Sequence, residues 1–390
     1  MCQACNYPTI MTKKSTHLDR TSPQSLYLHI PFCRSKCLYC DFYSVPFAKG
    51  LAASCIATLC RQISALEGNF ETIYIGGGTP SVLDTPLLKQ LFKSLKPLIA
   101  GAREITVEIN PESVDPGKLA LFSDSGINRV SIGVQSLQNK YLRLLGRAHN
   151  CRQALNAVRA TAACGIANIS IDLIFGMPGQ SMRDMKADLE QAIALPVTHI
   201  SAYALTCEKH TPLQKLFAQG KLSPLDEETG AAMYSYIMDY LPKNGFLHYE
   251  ISNFAKPGLE SRHNINYWEN NNYLGLGPGA TSYIRGERSQ NTPDVRDYIT
   301  KINRGCCAID SRERLSAVAR AKETAAVKVR TREGIDFDWF TRKTGFDLCS
   351  LEASSLPKLK KEKLITITKK RIFLTRKGYL FCDTVSSELL

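Results

Sequence analysis

The chain has 390 residues, 44% hydrophobic and 22% charged, with a formal net charge of +13. That length allows two to three domains around a real core, and the composition is that of a soluble globular protein. No apolar run approaches the roughly 20 residues of a membrane span, and residues 1–24 hold no apolar segment of the secretory type, so an integral membrane or exported protein is not expected. Fourteen cysteines scattered through a chain this long suit reduced thiols in the cytoplasm better than a disulfide scaffold.

The elements run in an ordered alternation. Residues 1–24 read as a disordered tail, and the Cys2–Cys5 pair in it as incidental. Strand-like runs follow at Leu26–Ile30, Thr72–Ile75, Ile105–Ile109, Val130–Val134, Ile169–Ile174 and Ile200–Leu205. They are short and mostly apolar, as buried parallel strands are. Helical patterns lie between them, among them Thr85–Leu95, Cys151–Cys164, Met182–Ala194 and Glu227–Tyr240. Thr85 and Pro86 suit the N-cap and first position of their helix. Six β–α units argue for a parallel sheet with helices outside, too few for a closed eightfold barrel. Tyr249–Phe254 reads as one more strand, and 258–279, rich in Asn, Gly and Tyr, as a long irregular loop. From Ser311 helices precede a hairpin at 364–375. Nine basic residues between Lys358 and Lys377 are interrupted by Leu and Ile. They read as a solvated face rather than a nucleic-acid or membrane patch.

Chemistry concentrates at the C-terminal ends of these strands, the face where barrel sites form. Cys33, Cys37 and Cys40, spaced C-x3-C-x2-C, follow the first strand. Such a loop can turn three soft thiolates toward one point, as an iron–sulfur cluster needs. Three ligands leave one iron of a 4Fe-4S cluster open to chelate a small molecule. A zinc site would want paired knuckles, and no second one stands nearby. Gly76-Gly77-Gly78-Thr79 ends the second strand, either as a tight turn or for close backbone approach to a ligand. Glu108 and Asp172 are carboxylates among apolar strand residues and need partners, whether a helix cap, a cation or a ligand.

The cysteine spacing is the signature of the radical S-adenosylmethionine (SAM) superfamily. Further matches make the chain resemble the HemW family of heme chaperones, relatives of the oxygen-independent coproporphyrinogen III oxidases. They are Tyr74-Ile-Gly-Gly-Gly-Thr-Pro-Ser81, Glu108-Ile-Asn-Pro111, Asn128-Arg-Val-Ser-Ile-Gly-Val-Gln-Ser136, Leu145-Gly-Arg-Ala-His149, Ile171-Asp-Leu-Ile-Phe-Gly-Met-Pro-Gly179 and His263-Asn-Ile-Asn-Tyr-Trp268. The resemblance implies an α/β fold, a partial (β/α)6 radical-SAM barrel at 25–247. A connecting region would follow at 248–310 and a small winged-helix-like helical domain at 311–390. It implies a 4Fe-4S cluster on Cys33, Cys37 and Cys40. It implies SAM held by Tyr27, Gly77, Gly78, Thr79, Glu108, Gln135, Arg147 and Asp172, with Arg147 forking the SAM carboxylate.

His263, Tyr267 and Trp268 match the HNxxYW sequence that marks heme binding in that family, although a lone histidine in a polar loop is more often a surface residue. The implied partners are a heme-accepting protein and an electron donor for the cluster. No nucleic acid and no membrane span are implied, and peripheral membrane contact stays open. The rival readings are a coproporphyrinogen decarboxylase and a heme methyltransferase, both radical SAM enzymes. Phe42 stands where the oxidases carry a further cysteine, and this argues for the chaperone.

Overall fold

The computed structural model describes residues 23–390. The tail expectation, with Cys2 and Cys5, therefore lies outside the described residues apart from Pro23 and Gln24. Six strands follow in sequence: β1 Ser25–Ile30, β2 Thr72–Gly77, β3 Glu104–Ile109, β4 Arg129–Gln135, β5 Asn168–Phe175 and β6 His199–Ala204. Each pairs in parallel with the next. The parallel sheet and its helices are those of the expected partial barrel.

The strands are not uniformly apolar. β1 reads Ser-Leu-Tyr-Leu-His-Ile, β3 Glu-Ile-Thr-Val-Glu-Ile and β4 Arg-Val-Ser-Ile-Gly-Val-Gln. Successive side chains point to opposite faces, so alternation separates two surfaces. Leu26, Leu28, Ile73, Ile75, Ile105, Val107, Val130 and Ile132 turn outward and are buried against the helices in the main core. Burying each such side chain contributes roughly 1.5–3 kcal/mol. The register aligns the polar positions on the inner face: Thr72 beside Glu104, Glu108 beside Ser131, Ser170 beside His199 and Asp172 beside Ser201. The barrel therefore has a polar lumen.

The helices follow the expected ranges closely. Thr85–Ile99 buries Leu88, Leu91, Phe92, Leu95 and Leu98, an amphipathic stripe. Its N-cap is Asp84, with Thr85 already helical. Capping boxes start Cys151–Ala163 at Asn150 with Gln153, and Met182–Ile193 at Ser181 with Asp184.

Beyond residue 245 the structure departs from the sequence reading. The single strand expected at Tyr249–Phe254 is two pieces, β7 Leu247–His248 and β8 Asn253–Ala255, broken by a turn. The irregular loop expected at 258–279 contains a helix, Arg262–Trp268, and strand β9, Tyr273–Leu276. β9 pairs in parallel with β1 on the side away from β2, a seventh parallel strand. Strands β10 Thr281–Ile284, β11 Glu287–Asn291 and β12 Ile309–Arg314 continue antiparallel from it. The sheet order is β12-β11-β10-β9-β1-β2-β3-β4-β5-β6-β8-β7, and its two end strands do not pair, so it stays open. The region between barrel and C-terminus thus extends the same sheet.

The C-terminal part packs helices Ala317–Lys328, Phe337–Thr344 and Cys382–Glu388 with a three-stranded sheet. That sheet is β13 Ile335–Asp336, β14 Ile365–Ile367 and β15 Arg371–Leu374, in the order β13-β15-β14, and includes the expected hairpin. All nine basic residues from Lys358 to Lys377 are exposed. Arg376 reaches Asp239 on the barrel helix Glu227–Lys243, and Lys358 reaches Glu388. Among the described residues, no helix is long and apolar enough to cross a membrane.

Candidate functional site

The cysteine loop leaves the C-terminal end of β1 and is tied down at several points. Phe32–Cys33 pairs with Val45–Pro46, Leu38 N–H donates to Leu145 O at 3.0 Å and Leu213 N–H to Leu38 O at 2.8 Å. Cys33, Cys37 and Cys40 are half-buried free thiols. Burial raises the pKa of Cys40, and the charges of Cys37 and Cys33 push it further. The three therefore share one electrostatic environment. Among the described residues, no three His, Cys, Asp or Glu side chains converge on one point as a single metal ion requires. That concerns a site for one ion only. It does not disfavour a cubane cluster, in which each cysteine takes a different iron.

The glycine run lies against this loop. A Cβ on Gly78 would stand 2.7 Å from Phe32 O, and one on Gly77, whose φ is +111°, 2.7 Å from the His29 ring. Only glycine permits this approach and this backbone. Thr79 is buried. Its N–H donates to Phe32 O at 2.8 Å, and its hydroxyl lies 3.4 Å from Cys33 Sγ and accepts from Asn110 Nδ2 at 3.0 Å.

The carboxylates face the lumen. Glu108 accepts from Tyr74 O–H at 2.6 Å and from Gly77 N–H at 3.2 Å. Burial, with the Asp172 charge, raises its pKa to about 7 against these hydrogen bonds. Asp172 is likewise raised by burial, opposed by hydrogen bonds from Ser201 and Ser131 and by the Arg129 charge. Gln135 sits where β4 breaks register, with φ +65°. Arg147 donates to Cys37 Sγ at 3.3 Å, Asn110 Oδ1 at 2.7 Å and Gly133 O at 2.9 Å. Its two terminal nitrogens are thus engaged with protein, and the buried Nε has no partner. The expected carboxylate fork is not presented ready-made. Tyr27 O–H donates to His29 Nδ1 at 2.9 Å, and His29 Nε2–H to Tyr43 O at 3.1 Å. Further down the lumen Thr106 Oγ1 and Arg129 Nε are buried and unpaired, while Tyr203 is 41% exposed at the upper rim. A strand face lined this way suits a polar, cationic ligand carrying hydroxyls. The thiols, glycines, carboxylates and unpaired Arg147 Nε fit a 4Fe-4S cluster and SAM.

His263 belongs elsewhere. The helix Arg262–Trp268 starts at Ser261, whose hydroxyl accepts from Asn264 N–H. Buried Glu104 accepts from Arg262 N–H at 2.9 Å and His263 N–H at 3.1 Å. Glu104 and Thr72 are the first residues of β3 and β2, so this helix closes the N-terminal floor of the barrel, opposite the cysteine loop. His263 is 1% exposed. Its Nδ1 lies 2.8 Å from Thr72 Oγ1 and its Nε2 2.9 Å from Tyr267 O–H. Thr72 Oγ1 donates to Ser25 Oγ, so His263 Nδ1 carries the proton and Nε2 accepts. Burial lowers its pKa to about 3, helped by the Arg129 charge. The His263 ring lies 5.0 Å from the Tyr74 ring, and Tyr74 binds Glu108. Trp268 is half-buried under the Arg330 guanidinium, and its Nε1 has no partner. The expectation of an irregular loop at these residues is therefore corrected. The motif is a helix on the floor, joined to the Glu108 side through Tyr74.

Sequence reasoning missed Tyr74, Asn110, Arg129, Ser131 and Ser201. The signal for the strand residues among them was the strict polar–apolar alternation. Asn110 carried no such signal.

A parallel open barrel with this constellation at its C-terminal ends defines a radical SAM protein. A model of the radical SAM superfamily matches residues 27–192, and one of the HemN C-terminal domain matches 315–381. The chain is 36% identical over 377 residues to a heme chaperone HemW of Lactococcus lactis, covering 94% of this chain and 97% of that one. It is 34% identical over 380 residues to that of Bacillus subtilis, covering 94% and 99%. The fold is shared with the Escherichia coli coproporphyrinogen III oxidase HemN, at a TM-score of 0.81 and 22% identity over 95% of this chain and 90% of that one. The chain belongs to the HemW family.

Proposed function

We propose that this protein is a heme chaperone. It carries a 4Fe-4S cluster on Cys33, Cys37 and Cys40, with SAM at the open iron, and passes heme to an acceptor protein. The match to HemW proteins over nearly the whole chain carries the reading. Phe42, 70% exposed beside the cluster loop, stands in place of the oxidases' extra cysteine. In this reading Tyr27, Gly77, Gly78, Thr79, Glu108, Gln135, Arg147 and Asp172 surround SAM. Glu108 and Asp172 face its cationic and hydroxyl groups, and Arg147 offers Nε to its carboxylate after yielding a bond to Asn110. The cluster supplies one-electron chemistry when loaded, and an electron donor is a partner. The protein acts in the cytoplasm.

Heme is assigned to His263, Tyr267 and Trp268. With both nitrogens of His263 engaged at the barrel floor, ligation of iron requires the Tyr267 bond to break and the motif helix to lift from Glu104. The test is anaerobic reconstitution, heme titration and transfer to an apo heme protein. Coproporphyrinogen III is supplied to the same sample with SAM and reductant. Heme transfer without decarboxylation supports the chaperone, and SAM-dependent protoporphyrinogen formation overturns it.

A further inference from the structure

A cavity of about 550 Å³ lies where the turn 270–272, leaving the motif helix, meets the β10–β11 turn and the helices Ala317–Lys328 and Phe337–Thr344. Among the described residues four cationic side chains line it, Arg285, Arg320, Arg342 and Lys343, and no Asp or Glu does. No carboxylate of the described residues forms an ion pair with Arg320 or Arg342. One wall is the indole of Trp339, with Lys328 Nζ 5.1 Å from its ring centroid. The turn is held into this wall: Asn270 Nδ2 donates to Glu323 Oε2 at 3.1 Å and Thr324 Oγ1 at 3.0 Å, and Lys343 Nζ donates to Asn271 Oδ1.

Arg320 and Arg342 face one space, and an anion between them relieves their mutual repulsion. Guanidinium groups match carboxylates in a bidentate fork, and an indole offers a face for a flat ring. The lining is mostly polar, which suits the charged edge of a ligand rather than a whole apolar macrocycle. We propose that this cavity binds the two carboxylates of a planar aromatic ligand. Resting on the heme reading above, these are the propionates of heme, held by Arg320 and Arg342 while Trp339 meets the ring edge. The cavity adjoins the C-terminal end of the motif helix, so one heme could engage the cations and, once that helix lifts, the motif residues.

The experiment titrates the cluster-loaded, full-length protein with heme, reading Soret absorbance and quenching of Trp fluorescence. Arg320→Glu/Arg342→Glu is expected to bind heme about ten- to hundred-fold more weakly, with iron content and SAM affinity unchanged. The wild type is expected to show a loss of similar size for the dimethyl ester of the same metalloporphyrin. Arg320→Gln/Arg342→Gln replaces the first variant if that one fails to fold. A variant that binds heme like the wild type, or an ester that binds like the free acid, removes the cavity from the heme site and leaves the chaperone reading intact. A wild type that binds no heme overturns that reading and this one together.

Discussion

Three thiols among the free cysteines carry the cluster assignment, and the structure separates them from the others by position. Cys55 is buried in the core behind the sheet, and Cys60 and Cys151 lie on helices. Replacing Cys33, Cys37 or Cys40 with Ser is expected to abolish reconstituted iron and its visible absorption. Cys151→Ser is expected to keep both, and iron retained in the triple variant would refute the assignment. Glu108→Gln is expected to weaken SAM binding about ten- to hundred-fold by equilibrium dialysis, the worth of a hydrogen bond to a charged group, with iron content unchanged. The same carboxyl shapes stability. Its folded pKa, about 7, lies above its ordinary 4.5 because burial disfavours the charged form. Glu250, also buried, is raised to about 7 for the same first reason. At these two carboxyls the folded state therefore holds more protons than the unfolded one, and their contribution to stability falls as pH rises from about 4.5 to 7. Buried His263 and His248, lowered to about 3 and about 4, contribute the opposite slope below their ordinary 6.5, so the carboxyl contribution is read as a difference: denaturant midpoints of the apo-protein are expected to shift in favour of Glu108→Gln relative to the wild type as pH rises across that window. Parallel profiles in variant and wild type would show that Glu108 ionises freely.

The helix Arg262–Trp268 is the element least foreseeable from its own residues. Asn, His, Tyr and Trp are indifferent helix formers, and seven residues cannot hold a helix alone. It exists because Ser261 caps it and Glu104, remote in sequence, accepts two of its free N–H groups. Glu104→Gln is expected to cost about 1–3 kcal/mol. Amide exchange over 262–268 should then speed up, with that over β4 and β5 unchanged. If heme draws on His263, the looser helix should also take up heme faster in stopped-flow mixing. Equal exchange in variant and wild type would mean that packing, not the cap, holds the floor closed. The six barrel strands were legible to within a residue or two because β-branched runs between amphipathic helices leave few alternatives. β9 was not, since Tyr-Leu-Gly-Leu is too short and glycine-containing to announce a strand, and its pairing with β1 is decided by a partner about 250 positions away.

At the scale of the whole molecule the polar lumen joins the two ends. Gly77 and Glu108 face the cysteine loop, Tyr74 bridges from Glu108 toward His263, and His263 closes the floor. His263→Ala is expected to reduce heme affinity or shift the Soret band while leaving iron content unaltered. A heme titration and spectrum identical to the wild type would move the ligand elsewhere. The C-terminal domain adds Trp339 and three of its cations to the cavity beside the motif, and Arg376 fastens it to the barrel through Asp239, an exposed pair worth about 0–1 kcal/mol.

The sequence by itself determined the chemistry and its order along the chain. The three cysteines, the glycine run and the strand-end carboxylates could be placed on one barrel face, because strand ends and the loops after them are local features. Only the tertiary structure decided that the inner strand face is polar throughout, and that Arg147 is already engaged by Asn110, Gly133 and Cys37. It alone put the HNxxYW segment on the opposite end from the cluster loop. These depend on register and on contacts between residues far apart in sequence, such as Thr72 with His263. Local propensity holds no information about which distant side chain will supply a missing hydrogen bond.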